Sequence, residues 1–380
     1  MIYMDNAATT KIRAEVLEAM MPYLQEQYGN PSSVYALGRR AHSALDAARE
    51  QMRCALNAAQ AREIFFTSCG TESDNWAIFG VAHALREKGK HIITTAAEHH
   101  AVLDSCKALE KEGYELTYLP VDAYGQVQAD QVRAALRKDT ILVSAIFANN
   151  EVGTINPVAE MARAAHEAGA LFHTDAVQAV GHVPVDVQKL EVDLLSLSGH
   201  KFHAPKGVGA LYIRKGTPLD KYMHGGAQER GRRSGTENLA SIVGMGKAAE
   251  LAVQELPQEM PRLTALREEM IALIKKWIPG VCINGHPVQR LPGNINLSLP
   301  VLTSEAALYN LDMAGIACSS GSACTAGSLD PSHVLMAMGL SQKQARGALR
   351  FTFSRDTTQE EVRQTAQVLA DIAGRLQNKN

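Results

Sequence analysis

The chain has 380 residues, 46% of them hydrophobic and 21% charged, with a formal net charge of -2. This is an ordinary soluble globular composition, and its near-neutral charge offers no field for a polyanion such as nucleic acid. Its longest apolar runs, such as "ILVSAIFA" at 141–148, fall far short of a membrane span.

The length exceeds what one core organises easily, so two or three domains or subdomains are expected. The start, "MIYMDNAATT", lacks the basic and apolar regions of an export signal, and a cytoplasmic location is expected. The six cysteines, Cys54, Cys69, Cys106, Cys282, Cys318 and Cys324, are too scattered for a disulfide scaffold.

In chain order, "AREIFFTS" at 61–68 predicts a strand that ends at "CGTESDN", and "NWAIFGVAHALREKG" predicts a helix behind it. Further strands are expected at "KHIITTAAEHH", "ELTYLPVD", "TILVSAIFANNEVG", "ALFHTDAVQ", "VDLLSLSGHKF" and "VGALYIRKG", with helices such as "VAEMARAAHEAG" between several of them. Short apolar strands alternating with helices predict an α/β fold whose largely parallel sheet is covered on both faces. A boundary is expected near Pro257, in "VQELPQEMPRL". Beyond it "REEMIALIKKWIPG" reads as a helix, and "GNINLSLP" and "LRFTFSR" as strands of an antiparallel or mixed sheet. The last helix, "TTQEEVRQTAQVLADIAGRL", has a Thr cap and sets Val362, Leu369, Ile372 and Leu376 on one face.

Loops at the carboxyl edge of a parallel sheet converge on a crevice. "SCGTESDN" opens a helix after a strand, where free N–H groups and the Thr71 hydroxyl can hold a phosphate, or Thr71 or Ser73 can simply cap the helix. Asp175 ends the strand in "HTDAVQ", as a functional carboxylate or one half of a salt bridge. Lys201, in "SLSGHKFHAPKG", is either an exposed loop charge or an interior amine able to form a Schiff base, with Ser198 and His200 as further anion donors. Together, a phosphate cradle, a carboxylate and a Schiff-base lysine are what pyridoxal 5'-phosphate (PLP) needs.

With these residues in place, the chain resembles the cysteine desulfurases of the NifS/IscS type, within the class-V aminotransferases and the fold-type I PLP enzymes. The resemblance runs from "YMDNAATT" through "YGNPSS", "FTSCGTESDN", "EHHAVLD", "NNEVGTINP", "HTDAVQ", "SGHKFHAPKGVGALY" and "QERGRRSGTEN" to "SSGSACTAGSLDPSHVL" and "LRFTFSR". It implies a large PLP-binding domain over 16–257 with a mainly parallel seven-stranded sheet. A smaller α+β domain, from 1–15 and 258–380, would carry the catalytic cysteine segment.

The roles follow residue by residue as what the resemblance implies. Lys201 would form the Schiff base with PLP and move protons at Cα. Asp175 would hold the pyridine nitrogen, Gln178 the ring hydroxyl, and His99 would stack on the ring and serve as an acid or base. Gly70, Thr71, Ser198 and His200 would bind the phosphate. Thr236 would reach the phosphate of a neighbouring subunit, so a homodimer is implied. Asn150 and Arg350 would hold L-cysteine, Arg350 by its carboxylate.

Cys324 would take the sulfur as a persulfide, leave L-alanine, and pass the sulfur to an acceptor protein for iron–sulfur clusters or other sulfur compounds. That dual task explains a thiol within "CSSGSACTAGS", where small residues let a segment swing, and 318–328 is expected to be partly disordered.

Three positions depart from the pattern: Cys69 stands where the phosphate loop usually has Gly, Tyr35 where His is usual, and the chain stops soon after its last helix. Cys318 reads as a bystander or as half of a redox or metal pair. No metal site is expected, and "HEAGALFH" lacks the helical H-E-x-x-H spacing of a zinc protease. The alternatives within PLP chemistry are a selenocysteine lyase, a cysteine sulfinate desulfinase or a plain aminotransferase; outside it, a docking protein for sulfur traffic.

Overall fold

The computed structural model describes residues 1–300, 303–321 and 331–377. Its strands, in chain order, are β1 (Ile2–Tyr3), β2 (Ile64–Thr67), β3 (His91–Thr95), β4 (Glu115–Leu119), β5 (Thr140–Ser144), β6 (Leu171–Asp175), β7 (Leu194–Ser198), β8 (Gly209–Ile213), β9 (Cys282–Asn284), β10 (Asn294–Ser298), β11 (Ile316–Ala317) and β12 (Ala348–Thr352). Among the described residues β2 to β8 form one seven-stranded sheet, in the order β2-β8-β7-β6-β5-β3-β4. Only β8 runs against its neighbours, so the sheet is mainly parallel, as expected.

The apolar runs of the sequence follow from that position. Every residue of β2, β3, β5, β7 and β8 is buried, because helices cover both faces. Alternate side chains feed two cores. Ile64, Phe66, Val143, Phe172 and Leu195 enter one, and Phe65, Ile92, Leu142, Leu194 and Leu211 the other. The edge strand β4, by contrast, begins at exposed Glu115.

The last third builds a second core around an antiparallel sheet, β12-β10-β9. Ile295, Leu297 and Phe351 pack there against Leu266, Met270, Val362, Leu369 and Ile372. Thr358 and Glu361 cap the helix Gln359–Gln377 reciprocally, as its sequence predicts. The start of the chain joins this unit. Met4 lies in its core, β1 pairs in parallel with β11, and Asp5 bridges Thr352.

Near Pro257, where a boundary is expected, the backbone does not break. One helix, Leu239–Trp277, runs straight through Pro257 and Pro261. A proline in a helix interior removes one backbone hydrogen bond and crowds the preceding turn. Here both ends of the helix are anchored: Ile242, Met245 and Ala249 in the core of the large sheet, Leu266, Met270 and Ile274 in the core of the small one. The core changes near the prolines; the helix does not stop.

One buried ion pair orders the segment before this helix. Arg49 meets Glu229 through two 2.8 Å hydrogen bonds, and both side chains are almost wholly buried. Arg49 also lies over the Phe66 ring, 4.7 Å from its centre. Glu229 and Arg230 have positive φ, 45° and 58°, a backbone state that non-glycine residues hold only when surroundings impose it.

Candidate active site

The strand ends converge on a cavity of about 170 Å³. The helix Gly70–Ala84 begins almost at the end of β2 and turns its N-terminus into this space. A side chain at position 70 would meet Val177 Cγ2 at 2.6 Å, so any larger residue would have to push Val177 or the helix start aside. Cys69 just before it is extended, with φ −172°; any residue adopts that backbone, so the departure from Gly costs nothing there. Thr71 lines the cavity, and its neighbour Glu72 is clamped by Arg233 and by the Ser68 hydroxyl and N–H.

Asp175 ends β6 and is buried at the cavity wall, its Oδ1 accepting from Val177 N at 2.9 Å. Burial pushes its pKa up, while His99 and Lys201 pull it down. β7 ends at Ser198 and is followed by a tight turn, Gly199–Lys201. Ser198, His200 and Lys201 all line the cavity. Burial, with Lys201 adjacent, lowers the His200 pKa to about 4, which keeps the ring neutral near pH 7. Lys201 Nζ donates to the carbonyls of Ala7, at 2.6 Å, and Ala8, at 2.9 Å. His99 caps the helix His100–Lys111, its Nδ1 accepting from Ala101 N at 3.1 Å, which places the proton of a neutral ring on Nε2.

Arg350, on β12, reaches the cavity from the second sheet and is 1% exposed. Its Nη1 donates to the Asn150 carbonyl at 2.9 Å and its Nη2 pairs with Asp5 at 2.9 Å. Asn150 and Gln178 also line the cavity; Gln178 Nε2 donates to Ala7 O at 3.0 Å. Ten of the expected residues therefore face one space: Gly70, Thr71, His99, Asn150, Asp175, Gln178, Ser198, His200, Lys201 and Arg350. Thr236 does not; it is exposed, in the segment held by Glu229. Cys324 and residues 322–330, and with them most of the segment expected to be disordered, lie outside the described residues.

Cys318 packs at the edge of the second core, and burial raises its thiol to about 12. That favours the bystander reading of Cys318 over a reactive pair. Tyr35 is exposed at the start of the helix Ala36–Leu56.

Several site residues had no role in the sequence reading. Ala7 and Ala8 belong to "YMDNAATT", which carried the resemblance without an assigned function. Asp74 lies within "SCGTESDN", is 1% exposed, and has a buried Oδ1 without a hydrogen-bond partner among the described residues. Its carboxylate, that of Asp175 and the His99 ring offer atoms within 4.8 Å of one another. Burial, then the Asp175 charge, push the Asp74 pKa well up. Behind it His173 joins Ser144 and Ser196 at 2.8 and 2.9 Å, and burial holds this ring neutral with a pKa of about 3.

The residues fit PLP. Two buried carboxylates at one wall want a cation or a donor, which a protonated pyridine nitrogen is. A helix N-terminus with Thr71, Ser198 and His200 suits a phosphate dianion, and Lys201 supplies an amine within the same cavity.

The comparisons with known proteins agree with this geometry. The chain is 53% identical to a protein named cysteine desulfurase IscS from Methanosarcina thermophila, over 99% of this chain and 93% of that one. A solved structure titled NifS-like protein superposes with a TM-score of 0.93 at 40% identity, covering 99% of this chain and 100% of the other. One titled "SspA in complex with cysteine" gives 0.83 at 36%, covering 93% and 99%. The model of the class-V aminotransferases matches residues 2–365, and the chain belongs to that family.

Proposed function

We propose that this protein is a PLP-dependent cysteine desulfurase, converting L-cysteine to L-alanine while sulfur passes to Cys324. The observation that carries the reading is the convergence of Lys201, Asp175 and Arg350, from three elements, on one cavity. It is supported by relatives named cysteine desulfurase over nearly the whole chain and by the fold shared with a structure titled as a cysteine complex.

The bound cofactor supplies an electron sink that lets the Cα proton leave and weakens the C–S bond. Arg350 binds the substrate carboxylate and Asn150 the substrate beside it, which fixes Cα near Lys201. Lys201 moves the proton at Cα. Asp175 would keep the ring nitrogen protonated, Gln178 would reach the ring hydroxyl, and His99 would stack on the ring. Gly70, Thr71, Ser198 and His200 would hold the phosphate. The Cys324 thiolate attacks the substrate sulfur, an S–S bond forms as the C–S bond breaks, and the carbon skeleton takes up a proton and leaves as alanine. The persulfide then serves an acceptor protein.

The wider expectations belong to the same reading. Thr236, exposed here, completes the phosphate site of a partner subunit in a homodimer. The units 16–257 and 1–15 with 258–380 act as a cofactor domain and a sulfur-carrying domain, and the protein works in the cytoplasm. Among the described residues no helix is long and apolar enough to cross a membrane.

The test is alanine release from L-cysteine by PLP-loaded protein, wild type beside Cys324→Ala. Loss of alanine with the cofactor colour kept is the expected result. Unchanged release would remove Cys324 from the sulfur step and bring the selenocysteine lyase or sulfinate desulfinase reading forward.

A further inference from the structure

Asp5 stands 345 residues before Arg350 and yet shares its hydrogen bonds. One oxygen, Oδ1, accepts from Arg350 Nη2 at 2.9 Å. The other, Oδ2, accepts from the Ser319 hydroxyl at 2.8 Å. Ser319 in turn is paired with Arg350 through the backbone: Arg350 N donates to Ser319 O at 2.6 Å, and Ser319 N to Arg350 O at 3.2 Å. Asp5 is itself fastened, by its bridge to Thr352 and by Asn6 Nδ2 donating to Thr352 O at 2.8 Å.

The guanidinium is therefore held by two acceptors: the Asn150 carbonyl takes Nη1 and Asp5 takes Nη2. Among the described residues nothing accepts from the buried Nε. A guanidinium is planar, so two fixed nitrogens fix the third. The plane of the arginine is set before any ligand arrives.

We propose that Asp5 is a positioning residue for the substrate carboxylate: it fixes the plane of Arg350, with Ser319 holding Asp5 in place. The proposal rests on the reading of Arg350 as the group that binds that carboxylate. Two effects oppose each other. Asp5 offsets the arginine charge, which weakens its pull on an anion; Asp5 also holds the fork still, which strengthens it. Orientation wins, because a buried arginine stripped of its partner turns to whatever acceptor or water remains, and a recognition group has to hold its geometry to within about half an ångström.

The experiment compares PLP-loaded wild type, Asp5→Ala, Asp5→Asn, Asp5→Glu and Arg350→Ala. Binding of L-alanine, which keeps the carboxylate, and of L-alaninamide, which lacks it, is read from the absorbance of the bound cofactor. In Asp5→Ala and Asp5→Asn the Kd for L-alanine is expected to rise about tenfold or more, while that for L-alaninamide stays within about twofold. Asp5→Glu, which keeps the charge and both oxygens, recovers part of the loss. Asp5→Asn preserves shape and carries the test if Asp5→Ala does not fold or load.

Unchanged or tighter L-alanine binding in the Asp5 variants, with weakened binding in Arg350→Ala, overturns the proposal and leaves the Arg350 reading intact. Equal losses for both ligands overturn it too, as general distortion. Unchanged L-alanine binding in Arg350→Ala refutes the reading on which the proposal stands.

Discussion

Replacing Glu229 with Gln tests what holds the segment that carries Thr236. Glu229 is 4% exposed and takes both terminal nitrogens of Arg49, which is 5% exposed, at 2.8 Å. Removing one charge leaves the other buried and unpaired, and such a change costs about 3–5 kcal/mol. Replacing both, as Arg49→Met with Glu229→Leu, has a different ledger. The Ile64 carbonyl loses its bond to Arg49 Nη1 but keeps one from Arg230 Nη2 at 3.0 Å. Phe66 N loses its 3.3 Å bond to Glu229, a buried donor whose orphaning costs about 1–3 kcal/mol. The double variant should therefore lose less than Glu229→Gln alone. Urea unfolding of the two single variants, Arg49→Met and Glu229→Gln, and of the double supplies the comparison, with m-values checked for constancy. A double variant that loses the sum of the two singles would refute the argument, because the partners would then be acting independently.

Other expectations concern titration and thiol chemistry. Burial raises the Glu98 pKa from 4.5 to about 8, so the folded state holds a proton that the unfolded chain releases. That contribution is complete below pH 4.5 and is lost as pH rises to about 8; Glu98→Gln should flatten the fall of apo-protein stability across that window, and an unaltered pH profile would count against it. Cys318, its thiol raised to about 12 by burial, should resist iodoacetamide at pH 8, and Cys318→Ser should leave alanine release intact. Rapid labelling of Cys318 in the folded protein, read by peptide mass, would contradict its raised thiol and its packing against the second core. Gly70→Ala should weaken PLP binding by about tenfold or more, since the new methyl meets Val177 at 2.6 Å beside the phosphate cradle; equal cofactor affinity by absorbance titration would show that the loop yields.

The sequence by itself determined much of the site, because its chemistry is written in short segments. "SCGTESDN", "HTDAVQ" and "SLSGHK" each place a cavity-lining candidate residue at the end of a buried apolar run, and in a parallel sheet such ends meet. Short apolar runs alternating with helical segments likewise made a largely parallel sheet legible, since burial on both faces demands continuous apolar stretches; seven strands in it is what the resemblance implied. The helix through Pro257 was not legible, because local proline chemistry argues for a break and only two distant cores override it. Asp74 sat in view as a helix residue; that it shares a wall with Asp175 depends on how β6 and that helix pack. The partners of Lys201 and Arg350 depended most on the tertiary fold. Ala7 and Ala8 lie 194 and 193 residues from Lys201, and Asp5 lies 345 from Arg350. No periodicity reports contacts at such separation, since they arise only when the first strand of the chain pairs within the last third and carries its loop across the cavity.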